Sequence, residues 1–201
     1  MRKYDAVFFD LDGTLSESGE GILWCVRRTI EDLKIVVPEN FRLESFIGPP
    51  LADSFYRLGL DDEKVKFGVK TYKSYYDTKG KYMNKAYDGI KELLERLREK
   101  GYKLGVATSK YELFARQIID NIGLLQYFDF VSGATANAER QKKIDVLNYG
   151  IKNLGATPEN SALIGDTKFD AEGARLCGCG FVGVLYGYGT RKEMEAEGAV
   201  N

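Results

Sequence analysis

The stretch Ala6-Val7-Phe8-Phe9-Asp10-Leu11-Asp12-Gly13-Thr14 decides how this chain is read. Four apolar residues in a row predict a buried strand, because a strand covered on both faces shows continuous rather than alternating apolar character. Two carboxylates, Asp10 and Asp12, follow at its end. Each needs water or a cation, and the pair repels itself, so a chain that keeps both at the mouth of a buried strand uses them. Gly13 allows a sharp turn and close approach of the backbone to a ligand. Thr14 offers a hydroxyl and the start of a following helix.

Working outward, four further apolar runs predict buried strands: Lys103–Ala107, Phe128–Ser132, Ser161–Gly165 and Phe181–Leu185. Amphipathic segments alternate with them. Asp88–Lys100 puts Ile90, Leu93, Leu94 and Leu97 on one face and stops at Gly101; Glu112–Asn121 groups Phe114, Ile118 and Ile119; Lys143–Leu154 groups Ile144, Leu147, Ile151 and Leu154. Thr157-Pro158-Glu159 has the cap, first-turn proline and acidic first turn of a short helical turn. Strands alternating with helices predict an α/β fold, a three-layer, Rossmann-like, doubly wound parallel sheet. Between Ser16 and Met83 the rhythm breaks. Gly21–Leu33, Leu51–Leu58 and Asp61–Lys79 read as helix after helix, with a turn at Gly48-Pro49-Pro50. We expect residues 1–15 and 84–201 to form the α/β domain, 16–83 an inserted helical domain, and Ser16–Gly19 and Tyr82–Tyr87 the linkers. Arg191–Glu197 reads as a helix, and Gly198-Ala199-Val200-Asn201 as the start of a further element.

Composition narrows the functional classes. The 201 residues are 44% hydrophobic and 29% charged, ordinary for a soluble globular protein. A formal net charge of -1 offers no basic field for nucleic acid. No apolar stretch approaches a membrane span, and because a strand begins within a few residues of the first, no signal peptide is expected. Cys25, Cys177 and Cys179 do not suggest a disulfide framework, so a reduced, cytoplasmic protein is expected. There is no histidine. That removes Ser-His-Asp and Cys-His catalysis and leaves acid–base work to carboxylates, lysine, tyrosine or cysteine.

In an open parallel sheet, ligands bind at the carboxyl ends of the strands. Asp10, Asp12, Thr108, Asp166 and Asp170 all fall at such ends, and Lys143 opens a helix after the third strand. Four acids on one edge call for a divalent cation, and magnesium suits oxygen ligands. An aspartate can attack phosphorus and carry an acyl phosphate. Lys143 and magnesium would supply positive charge to the phosphoryl oxygens, the Thr108 hydroxyl and nearby backbone amides hydrogen bonds, and Asp12 a proton to the leaving oxygen.

Asp10-Leu11-Asp12-Gly13-Thr14, Val106-Ala107-Thr108-Ser109, Lys143 and Gly165-Asp166-Thr167-Lys168-Phe169-Asp170 resemble the four motifs of the haloacid dehalogenase superfamily. Phe46-Ile47-Gly48-Pro49-Pro50-Leu51, Tyr87-Asp88-Gly89-Ile90 and Thr108-Ser109-Lys110 resemble its phosphoglycolate phosphatase-like branch, which carries a helical cap. The resemblance implies Asp10 as nucleophile and Asp12 as general acid and base. It implies Thr108, with Ser109 beside it, and Lys143 as phosphate ligands. It implies magnesium held by Asp10, the Asp12 carbonyl and Asp166, with Asp170 supporting. Lys142 stands next to Lys143, and the proline that often follows this lysine is replaced by Ile144; helix phase favours Lys143. The expected function is magnesium-dependent hydrolysis of a small phosphorylated metabolite. A phosphomutase, a pyrophosphatase, a 5'-nucleotidase and a non-catalytic phospho-aspartate or binding protein are the alternatives on the same core.

Other features have plainer readings. Asp170 fits a helix cap for Ala171–Leu176 as well as a metal site. Cys177-Gly178-Cys179 reads as a reduced turn, since no fourth metal ligand is in view. Tyr72, Tyr75 and Tyr76 read as packing within the helical insert, and Lys64, Lys66, Lys70 and Lys73 as a solvated face. Gly187-Tyr188-Gly189 fits a plain turn as well as an approach to the site.

Overall fold

A computed structural model describes residues 3–49, 51–136 and 139–198. In chain order the first elements are β1 (Ala6–Phe9), the two-residue strand β2 (Ser16–Glu17), and helices α1 (Gly19–Asp32), α2 (Leu51–Arg57) and α3 (Asp62–Thr78). Then come β3 (Lys85–Ala86), α4 (Ile90–Glu99), β4 (Lys103–Tyr111), α5 (Glu112–Asn121), β5 (Phe130–Ala134) and α6 (Lys143–Asn153). The chain continues through β6 (Ser161–Gly165), α7 (Lys168–Cys177), β7 (Gly180–Gly183) and α8 (Arg191–Ala196). Two compact units result: one combines the residues up to Glu17 with those from Lys85 onward, the other is Ser18–Asn84. No helix among the described residues is long and apolar enough to cross a membrane.

The first unit is a five-stranded sheet in the order β5-β4-β1-β6-β7, and every pairing is parallel. The apolar run at the start of the chain forms its central strand; all four residues of β1 are buried. Phe8 is the keystone of one face. A Cβ on Gly105 would stand 2.4 Å from its ring and one on Gly150 2.8 Å, so these two glycines leave the space the ring fills. Around it, Val146, Leu147 and Ile151 of α6 join Leu163 and Ala174 in the buried core. From β1 the chain runs outward through β4 to β5, then crosses back to place β6 on the other side of β1. The crevice where the order reverses is the usual ligand position in such sheets.

The second unit is helical. Asp61 caps α3 by accepting the Lys64 N–H at 2.9 Å. Phe46 and Phe55 meet edge to face at 5.1 Å, and Tyr72 and Tyr76 stack at 5.6 Å, both buried. Trp24 meets Tyr75 edge to face, and the Tyr75 hydroxyl donates to Asp32. The three tyrosines therefore serve packing within this unit, and Lys64, Lys66, Lys70 and Lys73 are exposed.

Several expectations need correcting. Thr14 begins no helix: the chain turns there and enters β2. The units join within the expected linkers Ser16–Gly19 and Tyr82–Tyr87, but part of each linker is a strand. Ser16 pairs with Ala86 and Glu17 with Lys85 in an antiparallel ribbon, and the chain crosses between the units after Glu17 and before Lys85. The strand expected at Phe128–Ser132 lies two residues later, because Asp129 is spent as an anchor: its carboxylate accepts the Leu104 N–H at 2.8 Å and pairs with Arg98 at 2.9 Å. Helix α4 buries Ile90 and Leu94, whereas Leu93 is exposed. Asp170 is not the cap of α7. Thr167 is, and Asp170 sits in the first turn, accepting the Thr167 N–H and O–H at 3.0 and 2.7 Å. Pro50 of the expected turn, and Ala199-Val200-Asn201, lie outside the described residues.

Candidate active site

The structure gathers the carboxyl ends of β1 and β6, the middle of β4 and the first turns of α6 and α7 in the first unit. Asp10 follows β1 directly, and its N–H donates to Ile164 of β6. Asp166 follows β6, and Asp170 lies one turn into α7. All three aspartates are buried, and each offers a carboxylate oxygen within 4.8 Å of the others.

Among the described residues, one side-chain cation reaches this cluster. Lys143, the first residue of α6, places its Nζ 2.7 Å from Asp10 Oδ1, 2.7 Å from Asp170 Oδ1 and 3.0 Å from the Ala107 carbonyl. Lys142 is exposed and caps the helix through its N–H, which donates to Asp145. The structure thus brings Lys143, not its neighbour, to Asp10. Close packing makes this reach possible: a Cβ on Gly173 would stand 2.5 Å from Lys143 Cγ.

One ammonium does not balance three carboxylates. Burial, with Asp170 and Asp166 adding to it against the opposing pull of Lys143, pushes the Asp10 carboxyl up to about 7. Burial likewise raises Asp166 to about 6, although the Tyr188 N–H and Thr14 hydroxyl favour its charged form. Burial works against the Lys143 ammonium, but Asp10 and Asp170 outweigh it and hold its pKa above the usual lysine value. Burial is the main reason that these two carboxyls hold their protons, and repulsion from the neighbouring carboxylates adds to it. Hard carboxylate oxygens, buried and short of one cation, are a donor set that fits a magnesium-like ion.

Asp166 is clamped on every side. Its Oδ1 accepts the Thr14 hydroxyl at 3.1 Å and its Oδ2 accepts the Tyr188 N–H at 2.8 Å. A Cβ on Gly13, Gly187 or Gly189 would stand 2.1 to 2.3 Å from an Asp166 oxygen. Gly187-Tyr188-Gly189 therefore does approach the site. Tyr186 ties the same loop down by donating its hydroxyl to the Thr14 carbonyl at 2.9 Å, with its ring 4.7 Å from that of Tyr87.

Asp12 is partly exposed and sits apart from the three-carboxylate cluster. Its Oδ2 pairs with Lys110 at 2.8 Å, while Oδ1 is buried with no hydrogen-bond partner among the described residues. Thr108 is buried in β4, and its Oγ1 accepts the Lys110 N–H at 3.3 Å, which leaves its own proton to donate. Ser109 is exposed. Sequence reasoning quoted Lys110 within a motif but missed its pairing with Asp12, and it passed over Tyr186 and the clamp role of Thr14. The only signals were a lysine after Thr108-Ser109 and a loop of alternating tyrosine and glycine.

Known proteins resemble this chain over most of its length. Tyrosine-protein kinase PtkA of Mycobacterium tuberculosis is 37% identical over 91% of this chain, which spans only 62% of that protein. A 5'-nucleotidase of Pseudomonas aeruginosa is 36% identical over 96% of this chain and 88% of its own length. The phosphoglycolate phosphatase of Aquifex aeolicus is more distant, 28% identical over 90% and 85%. Among solved structures, a predicted phosphatase from Clostridium acetobutylicum superposes with a TM-score of 0.88 at 37% identity, covering 98% of this chain and 92% of that one. The family profile described as haloacid dehalogenase-like hydrolase matches residues 7–184, and this chain belongs to that family.

Proposed function

We propose that the chain is a magnesium-dependent phosphomonoesterase that works through a phosphoryl group carried on Asp10. The observation behind this reading is the buried Asp10 carboxylate at the end of β1, gripped by Lys143 and crowded by Asp166 and Asp170. Asp10, the Asp12 carbonyl and Asp166 would hold the ion, with Asp170 in support. A bound magnesium ion supplies positive charge against the phosphoryl oxygens and relieves repulsion among the carboxylates.

The chain's own residues then divide the work. An Asp10 oxygen attacks phosphorus, the ester P–O bond breaks, and Asp12 gives its proton to the departing alkoxide. Water next attacks phosphorus, its proton passes to Asp12, and the acyl-phosphate bond breaks to release inorganic phosphate and restore Asp10. Lys110 holds Asp12 by one oxygen, so the other is available for the proton. Thr108, Ser109 and Lys143 receive the phosphoryl oxygens. The helical unit Ser18–Asn84 serves as the cap that selects the rest of the substrate.

Phosphoglycolate-like esters of small acids are one substrate class. Nucleoside monophosphates are a second, favoured by the higher identity to the Pseudomonas 5'-nucleotidase than to the Aquifex phosphoglycolate phosphatase. A phosphate-release screen over phosphorylated metabolites, with magnesium or with a chelator, tests the reading. Release that needs magnesium and disappears in Asp10→Asn is expected. Turnover that survives Asp10→Asn refutes the nucleophile, and isomerisation of a sugar phosphate without phosphate release would make the chain a mutase.

A further inference from the structure

The second feature with chemistry of its own lies at the opposite end of α7 from Asp170. Helix α7 ends at Cys177, and Gly178 takes the left-handed conformation, φ +80 and ψ 20, that only glycine adopts at no cost. The Gly178 and Cys179 N–H groups both return to the Ala174 carbonyl, at 2.9 and 3.1 Å. This tight closure folds Cys179 back beside Cys177, and the two thiols are hydrogen-bonded to each other. Both cysteines are partly accessible, whereas Cys25 is buried.

We propose that Cys177 and Cys179 are a redox-active dithiol, oxidised by a small peroxide to an intramolecular disulfide at a site separate from the phosphoryl chemistry. Backbone geometry permits the bond. The distance between Cα atoms two residues apart depends only on the dihedrals of the residue between, and a helical residue of either hand gives about 5.4 Å. That is within the range a disulfide spans. The hydrogen bond between the two thiols brings the side chains together across the turn.

The two sulfurs differ in role. Cys177 is the attacking thiol. The Cys179 S–H donates to it and stabilises its thiolate, outweighing burial and the nearby Glu159, so its pKa lies below the ordinary thiol value. The same hydrogen bond, with burial, holds Cys179 above that value and keeps its proton in place. As a thiol, Cys177 donates its S–H to Asn148 Oδ1 on α6 at 3.1 Å. An amide turned over there would donate its Nδ2–H to the thiolate instead.

The chemistry balances with the peroxide as oxidant. The Cys177 thiolate attacks the O–O bond, takes one oxygen to become a sulfenic acid, and the other oxygen leaves as water after protonation. The Cys179 sulfur then attacks the Cys177 sulfur, the S–O bond breaks, and the hydroxyl leaves as a second water with the Cys179 proton. Two thiols and one hydrogen peroxide give one disulfide and two waters. A cysteine placed beside a nucleophilic one in this way is the arrangement that resolves a sulfenic acid before it oxidises further.

Intact-mass and peptide measurements on the full chain test the proposal. After one equivalent of hydrogen peroxide, the tryptic peptide Leu176–Arg191, which holds both cysteines, should lose two hydrogen masses and regain them on treatment with a dithiol reductant. Free thiols under denaturing conditions should fall from three to one. Cys179→Ser should accumulate a dimedone-reactive sulfenic acid at Cys177, at least tenfold faster than Cys177→Ser does at Cys179. Sulfinic acid on Cys177 of the unaltered chain without the internal cross-link would overturn the proposal, as would equal rates in the two serine variants. Should either variant misfold, the peptide mass of the unaltered chain decides alone.

Discussion

Replacing Gly187 by alanine adds one methyl group at a point where none fits. Its Cβ would stand 2.3 Å from Asp166 Oδ2, 2.4 Å from the Gly13 carbonyl oxygen and 2.5 Å from Asp166 Cβ. Non-bonded carbon contacts settle near 3.5 Å, so the Asp166 carboxylate must retreat by about 1 Å. The Gly13 carbonyl blocks the loop from yielding the other way. A shift of that size breaks or bends the hydrogen bonds from Thr14 and Tyr188, each worth about 1.5–3 kcal/mol to a charged acceptor. Gly187 has no positive φ, so no backbone strain confuses the result. Disturbing the partners that orient a metal ligand costs about 10- to 100-fold in metal affinity. We therefore expect the magnesium concentration for half-maximal phosphate release to rise by that factor, with high magnesium restoring most of the rate. The assay is magnesium titration of hydrolysis of a generic aryl phosphate, alongside thermal unfolding to confirm the fold. An unchanged magnesium dependence in a folded variant would refute the clamp and the placing of Asp166 in the metal site.

Three further outcomes follow from the same geometry. Lys143→Met leaves three buried carboxylates with no cation, and denaturant unfolding without divalent ions should show a loss of about 3–5 kcal/mol, most of it recovered when magnesium is added. Asp10 and Asp166 hold pKa values of about 7 and about 6, above the ordinary carboxylate value, so the unfolded chain releases those protons first as pH rises. Stability without metal should accordingly fall from about pH 4 to about pH 7, while magnesium, which needs the deprotonated ligands, should raise the melting temperature more at about pH 8 than at about pH 5.5; a magnesium shift independent of pH would contradict this. Phe8→Ala empties the space left by Gly105 and Gly150 and should cost about 3–5 kcal/mol in equilibrium unfolding, with the magnesium dependence of hydrolysis unaltered.

What could be read from the chain, and what could not, follows from locality. Asp10 was legible because a buried strand and its acid are adjacent in sequence, and the strand is central because it is apolar on both faces. The alternation of β4, β5, β6 and β7 with helices fixed a parallel sheet before any coordinates. Lys110 was invisible as a partner of Asp12. The strand expected at Lys103–Ala107 stops short of Lys110, yet β4 runs on to Tyr111 with its register to β5 shifting between Ala107 and Tyr111. The shifted start of β5 was hidden in the same way, since Phe128 is apolar without being paired: it packs edge to face on Phe9 instead. Asp170 fitted a cap by residue type, and only the first-turn geometry of α7 shows it bound by Thr167 and facing Lys143. The clamp on Asp166 comes from Thr14 and Tyr188, which are far apart in the chain, so no local pattern announces it.

The ribbon of β2 and β3 has a consequence for how such a chain can change. Ser16 opposite Ala86 and Glu17 opposite Lys85 bring the two ends of the inserted unit together as neighbouring strands. For the β1–β4 core, the insert is then a single closed loop. Closing a loop costs entropy only with the logarithm of its length, about 0.6 kcal/mol for each doubling. The catalytic sheet is nearly indifferent to what hangs from that ribbon. A graft that replaces Ser18–Asn84 with a shorter or longer helical segment whose ends meet at the same spacing should leave the sheet folded, so new specificities can be tried without rebuilding the carboxylate cluster.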